Sequence, residues 1–155
     1  MKSKIMKFLA LAFGYGLGKS LSNVAEGTHK YGITKLTDAA FNNRFLLGKV
    51  GSDAAHVNVC GANDLPMYIV TDECTAAEEP LNCQLLGAIE GSCRMVASGT
   101  PAVGAELFTA ALGKVSAVPT VPGTYYRVGR VLTAPAADGE VFEAVPYSPT
   151  AYIVT

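Results

Sequence analysis

Residues 113–147 read GKVSAVPTVPGTYYRVGRVLTAPAADGEVFEAVPY. The run TYYRVGRVLTA is rich in β-branched and aromatic residues, and EVFEAVPY returns after the Asp138-Gly139 pair. Such a pattern predicts a β-hairpin over residues 124–147, closed across Asp138-Gly139 with Gly139 at positive φ, as a type I′ turn requires. Gly129 inside the first run marks a bulge or a close backbone approach. The stretch holds no histidine, no cysteine and no pair of acids converging on a pocket.

Working outward, the same signals recur. HVNV (56–59) alternates with period two and runs into the turn residues GAND (61–64). MYIVTDE (67–73) and CRMVAS (93–98) read as strands. NCQLLGAIEG (82–91) reads as a strand apolar on both faces. AELFTAALGKVSAV (105–118) fits a short helix or two strands, and Gly113 at the turn with Val115 and Val118 after it favours strands. Pro119, Pro122, Pro135, Pro146 and Pro149 are expected to flank strands. Six to nine short strands with frequent turns predict an all-β fold, a small β-sandwich or β-barrel of short antiparallel strands.

Half of the residues are apolar and 16% are charged, which excludes wholesale disorder. The charge is unevenly placed. Residues 1–35 carry six lysines against Glu26, a net +5, whereas the remainder carries six basic and twelve acidic groups, a net −6. A basic segment on an acidic body predicts an N-terminal docking arm, residues 1–30, on a β-rich domain, residues 31–155. Within the arm Ile5, Phe8, Leu9 and Ala12 share one helical face, flanked by Lys4 and Lys7 and followed by Phe13 and Tyr15. The other reading makes residues 1–25 a secretory signal and the chain a secreted or periplasmic ligand-binding domain. The glycines of GYGLG and the Asn23 of NVA, where a small residue is preferred, weigh against it. The apolar run Phe8–Leu17 is too short to cross a bilayer, which needs about 20 residues, so no membrane is expected.

Chemistry is sparse. Cys60, Cys74, Cys83 and Cys93 have no C-x-x-C spacing, so no metal site is assigned. Two disulfides fit an oxidising compartment, but Cys60 and Cys83 fall in strand-like runs, and four reduced, mostly buried thiols are expected. His29 and His56 lack a nucleophile partner, Ser92 lacks the G-x-S-x-G context, and the acids of TDECTAAEE lack a calcium-loop spacing. No cofactor and no enzymatic role are expected. Tyr125, Tyr126, Arg127 and Arg130 form a candidate subunit interface, with the two arginines expected on opposite faces of their strand. The acidic surroundings disfavour nucleic acid.

The stretch from Gly104 to Val115, in the pattern G-x-x-L-x-x-x-x-x-G-K-V, and VGRVLTAPAADGEVFEAVP (128–146) resemble the small β-rich capsid decoration proteins of tailed bacteriophages, also called cement or head-stabilising proteins. CQLLGAIEGSCRMVASG (83–99) is similar to an earlier strand pair of that family. The likeness covers residues 83–147. It implies a virion surface protein made in the host cytoplasm. Such a protein binds the major capsid protein of an assembled shell, often as a homotrimer, and clamps neighbouring subunits.

Overall fold

The structure, a computed structural model, describes residues 32–155. The arm residues Lys4, Ile5, Lys7, Phe8, Leu9, Ala12, Phe13 and Tyr15 lie outside the described residues, as does His29.

The fold is all-β and has ten strands among the described residues. They are β1 (Ile33–Thr37), β2 (Leu46–Val50), β3 (His56–Val59), β4 (Tyr68–Val70), β5 (Pro80–Leu85), β6 (Cys93–Val96), β7 (Glu106–Thr109), β8 (Val115–Ser116), β9 (Gly123–Val131) and β10 (Val141–Val154). The first five close a barrel in the order β1-β3-β2-β4-β5, and the last five form a sheet in the order β6-β10-β9-β7-β8. One barrel pairing departs from the antiparallel expectation: β1 runs parallel to β3, with Leu36 opposite His56. The second sheet is tied end to end where Ala97 bridges Val115 and the Ser98 N–H donates to the Val115 carbonyl at 2.7 Å.

Alternation explains which side chains form the core. In β6, Cys93 and Met95 are buried while Arg94 is exposed; in β10, Phe142 and Ala144 are buried between exposed Val141 and Glu143. β4 is buried on both faces. β2 divides its side chains: Leu46 joins the barrel core with Val57, Val70 and Leu81, and Leu47 packs with Ile69 against Met95, Leu107 and Val128 of the second sheet. Val96 of β6 returns the exchange by packing into the barrel cluster. The two sheets therefore share their cores through β2 and β6.

The four cysteines are free and buried. Burial pushes the thiols of Cys60, Cys83 and Cys93 up to about 12, which keeps them protonated at neutral pH.

Several local expectations shift. β5 ends at Leu85, and Gly87, at φ 87°, sits in a turn closed by the Ala88 N–H donating to the Leu85 carbonyl at 3.1 Å, so 82–91 is not one strand. Pro146 and Pro149 lie inside β10, not beside it; they sit where its register against β9 slips between Pro146 and Thr150. The β9–β10 hairpin does form and extends to Val154 opposite Gly123. Gly139 has φ 80°, but Asp138 does not share the positive φ, and the connection from β9 to β10 is a longer loop. Asp138 instead accepts the Gly99 N–H at 2.9 Å and the Lys114 ammonium at 3.1 Å, and these contacts hold its carboxyl below the usual range. Positive φ at two successive residues occurs at Leu112 (60°) and Gly113 (72°), where the Lys114 N–H donates to the Ala111 carbonyl at 3.3 Å. The turn with type I′ character thus joins β7 to β8.

Candidate interaction surface

The second sheet positions the four proposed interface residues through one irregularity. Glu106 pairs with Arg130 and Leu107 with Gly129, but Phe108 pairs with Arg127, so Val128 has no partner across the strand. An extra residue reverses the side-chain alternation beyond it. Arg127 and Arg130, three residues apart, consequently lie on the same face and not on opposite ones. Both reach Glu106: Arg127 Nη1 at 3.2 Å and Arg130 Nη2 at 3.5 Å. The Arg127 guanidinium also sits 5.7 Å from the centre of the Tyr147 ring. Each of these partly exposed ion pairs contributes less than about 1 kcal/mol, so their effect is to orient the arginines.

Beside the irregularity, glycine at 129 permits a close approach of β10 on the other side of the strand. A Cβ there would fall 2.5 Å from the Val145 carbonyl oxygen of β10.

Tyr125 stands on the arginine face, opposite Tyr152 of β10. Tyr152 in turn packs on Phe108 with ring centres 4.8 Å apart. Tyr126 points the other way and packs against the core, while its N–H donates to the Thr109 hydroxyl at 3.1 Å. Three of the four residues therefore share a surface and the fourth does not.

That surface continues into a two-stranded ribbon. The last β7 partner of β9 is opposite Arg127, and the last β6 partner of β10 is opposite Ala144. Beyond those points β9 and β10 have only each other as strand partners, with Tyr126 opposite Ala151 and Thr124 opposite Ile153. No charged side chain occurs in residues 115–126 or 144–155. Val121 is 65% exposed and Ile153 69%. Edge strands are ordinarily protected by charge or covered. Two prolines interrupt this edge, and its tip, Ala151–Val154, carries neither proline nor charge. The sequence signal for it was present in that absence of charge, which a search for chemistry passes over.

A second, polar cleft opens between the barrel and the second sheet. Its volume is about 730 Å³, and Phe45, Gln84, Arg94, Thr133 and Glu143 line it. Arg94 stacks over Phe45 at 5.8 Å, and the Ser92 hydroxyl donates to Glu143. Among the described residues no group of three or more histidine, cysteine or acidic side chains is arranged to hold a metal ion. None of the described helices is long and apolar enough to cross a membrane.

His56 is held by two acids. Its Nδ1 lies 2.6 Å from Asp53 and its Nε2 3.3 Å from Glu78. The hydrogen bond to Asp53, then that to Glu78, raises its pKa above 6.5. Protonated His56 is the form both carboxylates favour. The clamp is thus fully present below the unfolded-state value and is lost as pH rises through the higher folded one. An NMR titration of His56 is expected to give a midpoint above 6.5. A midpoint at or below that value would mean that neither contact persists in solution.

No family model matches the chain, and no curated protein matches it. Among solved structures it is similar to the head fiber gp8.5 N base in bacteriophage phi29, with a TM-score of 0.56 and 16% identity. The match covers 77% of this chain and 95% of that one. The likeness is one of fold.

Proposed function

We propose that this chain is a structural protein of a phage virion that binds the outer surface of an assembled capsid and stabilises contacts between major capsid subunits. The observation that carries the reading is the fold shared with nearly the whole of a phage head fiber base. Two features support it. The β9–β10 ribbon offers an uncharged, apolar surface suited to burial against protein. The body is acidic, which disfavours nucleic acid as the partner. No catalytic role is part of the proposal.

The physics of such a role is mass action. A protein that binds the assembled shell but not its dissociated subunits stabilises the shell by an amount that grows with its concentration. Repetition around the shell, and association of the protein as a homotrimer at sites where capsid subunits meet, multiply weak contacts. The basic, apolar segment 1–27 adds a second attachment, with lysines steering and aromatic residues supplying burial.

Co-sedimentation tests this. The full chain is expected to pellet with assembled phage heads to a saturating ratio and to leave unassembled capsid subunits unbound. Loss of residues 1–27 is expected to lower the saturating ratio. Equal binding to free subunits, or no binding to heads, would overturn the decoration reading.

A further inference from the structure

A small apolar cleft lies where β4, β5 and β10 meet. Leu65, Pro66, Met67, Leu85, Leu86 and Pro149 line it, and its volume is about 190 Å³. Leu65 is 50% exposed and Met67 39%, so nothing among the described residues covers them. An apolar cavity of about 150 Å³ accepts a benzene ring, whereas ligand pockets run to roughly 300 Å³ or more. The cleft therefore has the size of a seat for one aromatic side chain.

The path of the chain supplies the occupant. β1 runs antiparallel to β5 with Ile33 opposite Cys83. Gly32 lies against β5 so closely that a Cβ on it would fall 2.6 Å from the Asn82 side chain. The described chain thus begins, at Gly32, beside the end of β5, whose Leu85 forms with Leu86 one wall of the cleft. The residues before Gly32 include FLALAF, Phe8–Phe13, an uninterrupted apolar run with an aromatic ring at each end. Eighteen residues separate Phe13 from Gly32, a span of about 60 Å when extended, which makes reach no obstacle. Charge draws the segment to the body as a whole, while the apolar lining selects the ring. Residues 1–31 carry five lysines and one acid, and residues 32–155 carry seven basic and twelve acidic side chains.

We propose that the Leu65–Met67–Leu86–Pro149 cleft is an intramolecular seat for a phenylalanine of the Phe8–Phe13 run, occupied in the free protein. Seating shelters an aromatic ring that would otherwise promote association, and it competes with any use of the same side chain on a partner. The contact does not depend on the capsid reading. It holds or fails on the free protein alone.

The chain carries its own reporters. Its four methionines are Met1, Met6, Met67 and Met95. Met67 lines the cleft, and Met95 is fully buried in the core. Methyl-labelled methionine in the full chain is expected to show Met67 in contact with an aromatic ring. In the full-length double variant Phe8→Ser, Phe13→Ser the Met67 methyl resonance should move, while that of Met95 stays in place. Oxidation of Met67 by dilute peroxide should become several-fold faster in the same variant. An unchanged Met67 resonance and oxidation rate would overturn the proposal. So would a Met67 shift that disappears on dilution, because the seat would then be filled by a neighbouring molecule.

Discussion

Replacing Gly113 by alanine is expected to remove a large part of the protein's stability, whereas the same change at Gly139 is expected to be mild. Both glycines have positive φ, 72° and 80°. A side chain in that region costs on the order of 1–2 kcal/mol. The surroundings differ. A Cβ at Gly113 would lie 2.8 Å from the Leu47 carbonyl oxygen and 3.0 Å from Leu46 Cβ, whereas at Gly139 the nearest atom is Lys114 Nζ at 3.8 Å. The Leu47 carbonyl belongs to the backbone of β2 and cannot yield as a flexible side chain would. Gly113 also donates its N–H to the Cys60 carbonyl at 2.7 Å, so the β7–β8 turn is fastened to the barrel just past the end of β3 as well. Overpacking adds roughly 1–3 kcal/mol to the strain. The expected loss is about 2–5 kcal/mol, a large share of the roughly 5–15 kcal/mol that holds a typical domain together. Thermal denaturation should show Gly113→Ala melting well below Gly139→Ala. Equal melting temperatures would mean that the β7–β8 turn does not rest on β2.

Part of the second sheet is legible in the sequence, where a strand carries one buried and one solvated face. Cys93–Met95 of β6 and Val141–Ala144 of β10 alternate in this way, and the β9–β10 hairpin follows from that pattern and from the loop between its strands. β2 is not legible in the same way. LLGKV buries Leu46 towards one core and Leu47 towards the other, so no alternation marks it. The parallel β1–β3 pairing is a non-local choice that no local signal specifies. At the candidate surface the residue types are readable and their arrangement is not. A single unpaired residue, Val128, decides that Arg127 and Arg130 converge on Glu106. Gly129 announces a bulge without fixing which neighbour is left over. The two-residue turn is misplaced for a related reason. Asp-Gly is the stronger local signal, but Asp138 is used to bind Gly99 and Lys114, and the tight turn falls to Leu112-Gly113.

On the proposed function, a single charge placed at the tip of the ribbon is expected to weaken shell binding more than about a hundredfold without unfolding the protein. Ile153 is the residue of choice. It is 69% exposed, so its replacement changes stability by no more than about 0.5 kcal/mol. It also lies within the twelve uncharged residues that end the sequence, opposite Thr124. A contact that covers this edge would enclose the aspartate of Ile153→Asp with no cation among the ribbon's own residues to pair with it. An unpaired buried charge costs about 3–5 kcal/mol, which weakens an affinity by roughly two to three and a half orders of magnitude. Val141 provides the control, because it is 42% exposed on the same strand but pairs with Val96 at the far end of β10. Val141→Asp should bind heads as the unaltered chain does, and both variants should keep the parent melting temperature within a few degrees. If Ile153→Asp saturates purified heads as Val141→Asp does, attachment does not use the ribbon, and the arginine–tyrosine face beside it or the segment before Gly32 must carry the contact.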